Sequence, residues 1–369
     1  MKILFCTNVF SQITNGPAKF ANLLAKNSKD ENGNFEFRIL TEDADVSSIP
    51  VYKLDLKIRI QLISQFTRMW KYYKASIEIK KTYDFDYVVY NNAYIGLISL
   101  LFNKKTIGMV NDDNNLISSL TKKRISKRTI QHYLEKLFCK LSRNKIIVNS
   151  GFLKNSIAEA YQISPSKISI FNKGIEEKLV NKKRNEIIDK KIKGSILFTK
   201  SDFLRGGLED LISAADQTGL SLKIGIVGPA VAEVQKLLEK LKPGNQLEFT
   251  CYGFQPSERV HTLMEQYEIF AVPSRREAFG VANLEALACG CKIVSTYAGG
   301  IPEALGGAPL VWLSEPSSPE LLAGNLLSAL KHKITDYELS TLDSFLSRYS
   351  EKNLIQNFRK IILDIHPKK

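Results

Sequence analysis

The 369-residue sequence predicts an α/β protein built on two open, doubly wound parallel sheets. Three observations carry that prediction. Short apolar runs, too brief for helices, alternate along the chain with segments of helical periodicity, which is the pattern of strand, crossover helix and next parallel strand. The length suits two domains of ordinary size, each with its own core. A charged stretch without apolar periodicity, 175–193, interrupts the alternation near the middle and reads as a linker.

In order, Lys2 to Cys6 reads as the first strand. Gly16-Pro17 then opens a helix through Phe20, Leu23 and Leu24, because proline suits a first helical turn. Phe35 to Leu40 and Tyr87 to Tyr90 read as strands, with helices at about 58–81 and 94–102. Lys145 to Ser150 and Ile168 to Gly174 close the first domain. Ser195 to Lys200 starts the second, and Leu222 to Val227, Leu247 to Thr250, Ile269 to Val272 and Lys292 to Ser295 follow as strands. Each of these leads into a loop with Gly or Pro and then a helix. The expected division is 1–174, linker 175–193, 194–348, and a final helix in 349–369. No repeat of 20 to 50 residues is present.

Composition narrows the function classes. Apolar content of 44% excludes a disordered chain. No apolar run reaches the ~18 residues of a membrane span, and the amino-terminal apolar run is too short for a signal peptide, so an intracellular protein is expected. Five cysteines without paired spacing make a poor disulfide framework, and Cys289 and Cys291 read as core thiols. With four scattered histidines, no metal site is expected. Asp43-x-Asp45 and Asp84-x-Asp86 have the look of metal-binding pairs but flank an ordinary strand or turn.

The net charge of +14 lies entirely in residues 1–190, and 191–369 balance to zero. A basic bias confined to one half suggests that this half meets an anionic surface. Two segments concentrate it. From Lys57 to Lys74, Leu62, Phe66, Met69, Trp70 and Tyr73 share an apolar face bordered by Arg59, Arg68, Lys71 and Lys74. Lys122 to Arg128 heads a second basic helix continuing through Lys136, Lys140 and Arg143. Each basic residue near anionic headgroups contributes about 1 kcal/mol, so peripheral attachment to the inner face of the plasma membrane is the expectation. Two surface helices with solvated Lys and Arg are the simpler alternative.

The most informative stretch is Pro273-Ser-Arg-Arg-Glu277-Ala-Phe-Gly280-Val-Ala-Asn-Leu-Glu285-Ala-Leu-Ala-Cys-Gly290. It reads as strand exit, loop and helix, an arrangement that aims helix amides at the loop, where an anion is stabilised. Glu277 and Glu285 sit roughly 12 Å apart along the axis at ~1.5 Å per residue. They are too distant to share a proton or a metal ion, and well placed to hold two hydroxyl-bearing parts of one extended ligand.

This Glu-x7-Glu pattern, continued by Gly299-Gly300-Ile301-Pro302-Glu303, resembles the retaining GT-B glycosyltransferases of family four. The resemblance implies two Rossmann-like domains facing an interdomain cleft, and transfer of a hexose or N-acetylhexosamine from a nucleotide-diphosphate sugar. The implied acceptor is a glycan or polyprenyl-linked molecule, and no cofactor, metal or nucleic acid is expected. It places Glu277 near the donor sugar and Glu285 on the ribose hydroxyls, with Phe279, Gly280 and Val281 bringing backbone amides to sugar and phosphate. Lys200 and Arg205 match the cations that stabilise the leaving diphosphate, with their order exchanged. Gly16 faces the diphosphate, and Gly228 with Tyr252-Gly253-Phe254 lies where the base is held. Where a histidine is usual this chain has Asn111, which can hydrogen-bond a sugar hydroxyl but cannot become a cation; Asp112 or Asp113 are candidates to orient an acceptor hydroxyl. Lys292 replaces a usual proline and Ala278 a usual glycine. A nucleotide-sugar epimerase or hydrolase, and a non-catalytic nucleotide-sugar-binding membrane scaffold, remain as alternatives.

Overall fold

A computed structural model of the chain describes residues 1–11, 16–29, 34–44, 50–55, 64–112 and 127–365. The chain divides into two compact units, one formed by Met1–Asn172 with Ile355–Lys369 and the other by Lys173–Leu354.

The first unit is built on a seven-stranded sheet of β1 (Lys2–Thr7), β2 (Glu36–Thr41), β3 (Val51–Lys53), β4 (Tyr87–Tyr90), β5 (Thr106–Val110), β6 (Ile146–Val148) and β7 (Ile168–Ile170), ordered β3-β2-β1-β4-β5-β6-β7. All neighbours are parallel, as in the register Phe5↔Ile39 and Phe5↔Val89. Crossover helices cover both faces of such a sheet, so its strands are apolar throughout. All four residues of β4 and all five of β5 are buried. Periodicity does not predict β3; at three residues with Lys53 exposed, it lacks the apolar run that identifies a buried strand.

The helix Ser64–Thr82 buries a different face from the one expected. Gln65, Met69, Tyr72, Ser76 and Ile79 turn inward at helical spacing, whereas Phe66 and Trp70 are exposed. Tyr72 decides the rotation, because its hydroxyl donates to the Thr7 carbonyl at 2.7 Å beside β1. The second basic helix covers Lys127–Leu141. Asn15, Asp45, Lys57, Arg59, Leu62, Asp113 and Lys122 lie outside the described residues.

In the final helix, Glu351–Ile365, Phe358 is fully buried. Its ring lies 6.3 Å from Phe5, 5.1 Å from Phe20 and 5.2 Å from Phe171, within the first unit's core.

The second unit carries six parallel strands: β8 (Ile192–Thr199), β9 (Leu222–Val227), β10 (Leu247–Gly253), β11 (Tyr267–Ala271), β12 (Lys292–Thr296) and β13 (Val311–Ser314). Their order is β10-β9-β8-β11-β12-β13. The chain therefore winds outward from β8 in one direction and returns to β11 to wind in the other. Residues 175–193, charged in sequence, form two short helices, Glu177–Val180 and Arg184–Ile188. Ile175 and Leu179 join the second core, and buried Arg184 pairs with Asp343 and donates to the Val180 carbonyl at 2.7 Å. Cys289 and Cys291 are core thiols, and burial pushes the former up to about 12. All five cysteines are free. Among the described residues, no helix is long and apolar enough to cross a membrane.

Candidate functional site

In an open α/β sheet, loops leaving the carboxyl ends of the strands diverge where the strand order reverses, which leaves a crevice for ligands. In the second unit that point lies between β8 and β11. Lys200 is the first residue after β8, and Pro273 to Gly280 follow β11 closely.

The two loops are laced together. Lys200 Nζ lies 2.5 Å from Glu277 Oε2 and 3.3 Å from Ser274 Oγ. The other Glu277 oxygen accepts the Ala278 amide at 3.1 Å. Arg205 Nε donates to the Arg276 carbonyl at 3.1 Å, and the Arg275 amide donates to the Arg205 carbonyl at 2.9 Å. Behind them, Arg275 makes a two-pronged bond to Asp210 at 2.9 and 3.1 Å. Thr296 Oγ1 donates to the Ser274 carbonyl at 2.6 Å from the end of β12. Side-chain exposures of 19% for Lys200 and 23% for Glu277 leave both reachable from solvent.

Glycines permit this approach. A Cβ on Gly299, at φ +59°, would stand 1.9 Å from the Glu277 carbonyl oxygen, and the Gly300 amide donates to that same oxygen at 3.0 Å. Gly228, at φ +115°, presses on the backbone of Lys200, where a Cβ would come within 2.7 Å. Gly228 thus supports the position of Lys200 from behind, and its own amide donates to the Gly253 carbonyl. Phe254 is exposed and Tyr252 shares a 3.0 Å hydroxyl contact with Tyr267.

Gly280, at φ +94°, starts the helix Val281–Ala288, whose first turn has no side-chain cap. Its amides are directed at the Glu277 loop, the geometry that favours an anion. Phe279 is buried in the core beside Tyr349, so only its backbone is available to a ligand. Glu285 sits in the middle of that helix and is buried. Its carboxylate lies 3.8 Å from the ring of His261, which in sequence is only one of four scattered histidines and carries no signal. The structure therefore joins Lys200, Arg205 and Glu277 through one pair of loops and sets Glu285 against a neighbouring helix.

In the first unit, Asn111 is one of a row. Asparagines follow the carboxyl ends of five strands: Asn8, Asn91, Asn111, Asn149 and Asn172. Asn111 Nδ2 donates to the Asn91 carbonyl and side chain at 2.6 and 3.1 Å. Asn91 Nδ2 reaches Thr7 Oγ1 at 3.2 Å, Asn149 Nδ2 reaches the Asn111 carbonyl at 2.6 Å, and Asn172 Nδ2 reaches the Asn149 carbonyl at 3.2 Å. The Asn111 amide donor is thus committed, and only its Oδ1 can serve a ligand. The signal is present in sequence, one asparagine at each strand exit, but becomes a row only once the strands are placed side by side. Asp112 is exposed. Gly16 begins the helix Gly16–Lys26, directly after residues outside the described set.

The aspartate pairs have ordinary work. Asp43 Oδ2 accepts the Phe10 amide and Asp86 Oδ2 the Lys2 amide, while Asp84 pairs with Lys80. No group of three His, Cys, Asp or Glu suited to a metal ion occurs among the described residues.

Residues 180–341 match the family of glycosyl transferases group 1, so the second unit carries a domain of that family. The chain is 30% identical over 142 residues to the putative colanic acid biosynthesis glycosyltransferase WcaL of Salmonella typhimurium, covering 36% of this chain and 32% of that protein. It is 34% identical over 99 residues to a phosphatidylinositol N-acetylglucosaminyltransferase of Arabidopsis thaliana, covering 27% of this chain and 22% of that one. The matches thus span about a third or less of these relatives' lengths. In three dimensions the chain resembles Anabaena HepE in complex with UDP-glucose, with a TM-score of 0.73, 16% identity, and coverage of 99% of this chain and 100% of that one. The fold is GT-B, with two Rossmann-like parallel-sheet domains.

Proposed function

We propose that this protein is a retaining, metal-independent glycosyltransferase of family four. It moves a hexose or N-acetylhexosamine from a nucleotide-diphosphate sugar to a lipid-linked or polysaccharide acceptor in surface glycan biosynthesis. The observation that carries the reading is the contact of Lys200 with Glu277 at the strand-order reversal, beside the uncapped helix start at Gly280. Cation and helix amides suit a diphosphate, and the adjacent carboxylate suits a sugar hydroxyl. The relatives' names, which include glycan biosynthesis and N-acetylglucosamine transfer to a lipid, support the substrate class.

In this reading Lys200, Arg205 and the amides of Phe279 to Val281 hold the diphosphate, and Glu285 takes the ribose hydroxyls. As the bond from the anomeric carbon to phosphate breaks, negative charge grows on the departing oxygen, where fixed cations are worth more than in the ground state. Glu277 supports the positive character of the sugar centre. The acceptor oxygen bonds to the anomeric carbon on the same face, and its proton passes to the leaving phosphate. Asn111 Oδ1 is assigned to a sugar hydroxyl.

The enzyme works from the inner face of the plasma membrane in this proposal. Support comes from the basic first half and from the exposed Phe66, Trp70, Leu101 and Phe102, which stand among Lys71, Lys74, Lys104 and Lys105.

Transfer assays at saturating donor test the reading. Glu277→Ala should lower turnover by about 100-fold or more, the scale of losing one preorganised stabilising group. Lys200→Met should mainly weaken binding of the nucleoside diphosphate. Near-normal turnover in Glu277→Ala protein refutes the role, and product formed only without acceptor would favour a hydrolase or epimerase.

A further inference from the structure

At the opposite end of the second sheet from Lys200 and Glu277 lies a cavity of about 450 Å³. Lys193, Glu268 and Lys292, at the starts of β8, β11 and β12, line it together with Lys331 and Lys333. The distance along β8 from Lys193 to Lys200 is roughly 23 Å at ~3.3 Å per residue, so this is not part of the site described above.

The cavity has a rigid floor and a charged rim. Buried Lys292 Nζ donates to Glu268 Oε1 at 3.0 Å and to the carbonyls of Ala329 and His332 at 2.7 and 2.8 Å, which uses all three protons. The other Glu268 oxygen accepts the Gly194 amide at 2.9 Å. Lys292 therefore ties β11 to the end of the helix Pro319–Lys331, which carries Lys331 and leads into Lys333. This gives a structural reason for a lysine where the resemblance leads one to expect proline.

Glu268 offsets Lys292 and no other cation. Lys191 Nζ, also buried at the cavity, is held by the carbonyls of Met264 and Tyr267, each at 2.8 Å, without a carboxylate. Lys193, Lys331 and Lys333 are exposed and form no ion pair among the described residues. His332 adds no counter-charge, because its ring is bonded to Glu338. Four uncompensated ammonium groups around one concavity repel one another, and an anion bound among them relieves that repulsion. Ile188, Leu330 and Ile334 form an apolar wall beside the rim. The volume falls in the range of small-molecule pockets, and an apolar wall with convergent polar groups is their usual lining.

We propose that this cavity binds a phosphate-bearing anion, with phosphate on Lys193, Lys331 and Lys333 and a less polar portion against the isoleucine and leucine wall. The site does not depend on the proposed transfer reaction, since none of its residues takes part in it.

The test uses Lys200→Met protein, so that the other cationic site is weakened, and inorganic pyrophosphate as the probe. Calorimetry at moderate salt should show binding, and adding Lys193→Gln and Lys333→Gln should weaken it about tenfold or more. Both side chains are exposed, so the thermal midpoint without ligand should stay unchanged. Phosphatidylglycerol vesicles separate two sources of the anion. Vesicle binding lost along with pyrophosphate binding makes a lipid headgroup the ligand, whereas vesicle binding retained while pyrophosphate binding is lost makes it a free phosphorylated molecule. Both results place an anion in this cavity. Equal pyrophosphate affinity with and without the two lysines, or no binding to Lys200→Met protein at millimolar pyrophosphate, overturns the proposal.

Discussion

At the residue scale, the candidate site depends on charges held close without being buried beyond reach. Lys200 and Glu277 neutralise each other while a fifth of each side chain remains exposed, so a ligand with a phosphate and a hydroxyl can compete for both. Lys173, between Asn172 and Gly174 at the exit of the last strand of the first sheet, shows the opposite case. It is 5% exposed, and burial brings its ammonium down from 10.5 to about 7. Below pH 7 the group is charged in both folded and unfolded chains, so the cost of burying the charge is fully present. Between pH 7 and about 10 the unfolded chain keeps the proton that the folded one has released, so stability rises with pH across that window. Lys173→Met should accordingly be more stable than the parent at pH 6, with the difference shrinking by pH 10. Urea unfolding at the two pH values checks this, and a gap of equal size at both would mean that Lys173 titrates normally.

At the element scale, the loop from Pro273 to Gly280 keeps its shape because three glycines let other backbone come against it. Gly207, at φ +73°, would put a Cβ 2.2 Å from the Pro273 carbonyl oxygen, and Gly299 and Gly300 bracket Glu277 and Ala278 in the same way. Gly299→Ala should therefore cost on the order of 1–3 kcal/mol in strain and displace Glu277, so thermal midpoint and transfer rate should fall together. Gly307, at φ +81° with nothing near its Cβ position, is the control. There alanine should cost about 1–2 kcal/mol and leave the transfer rate alone. The sequence displays Gly299-Gly300 as part of a motif, but not that the pair exists to let one carbonyl oxygen through. The helix Ser64–Thr82 teaches a related lesson. Its aromatic residues at helical spacing point to one buried face, yet a tyrosine hydroxyl with a carbonyl to reach, and a serine and a glutamine that fit beside it, turn the helix the other way.

At the scale of the whole molecule, the first unit combines basic charge with exposed apolar rings. Tyr73 stacks on Phe102 at 5.1 Å, Trp70 lies 5.8 Å from Tyr73, and Lys74 sits over the Trp70 ring at 5.3 Å. Amphipathic rings flanked by lysines suit a membrane interface. Binding to anionic vesicles should exceed binding to neutral ones, weaken with added salt, and fall when Trp70 and Phe102 are replaced by alanine. Cosedimentation measures all three. Equal binding to both vesicle types at low salt would remove the membrane from the proposal.

Local composition and order were enough to give the alternation of strand and helix, the two sheets, and the loop bearing Glu277, because a buried parallel strand must be apolar and a strand-to-helix turn must carry glycine or proline. What Lys200 touches, which face of Ser64–Thr82 is hidden, the row of asparagines and the lysine-lined cavity were decided by the tertiary structure. Each of these joins residues from strands or helices separated along the chain, and the distance between two such side chains is set by sheet order and register, which local periodicity does not encode.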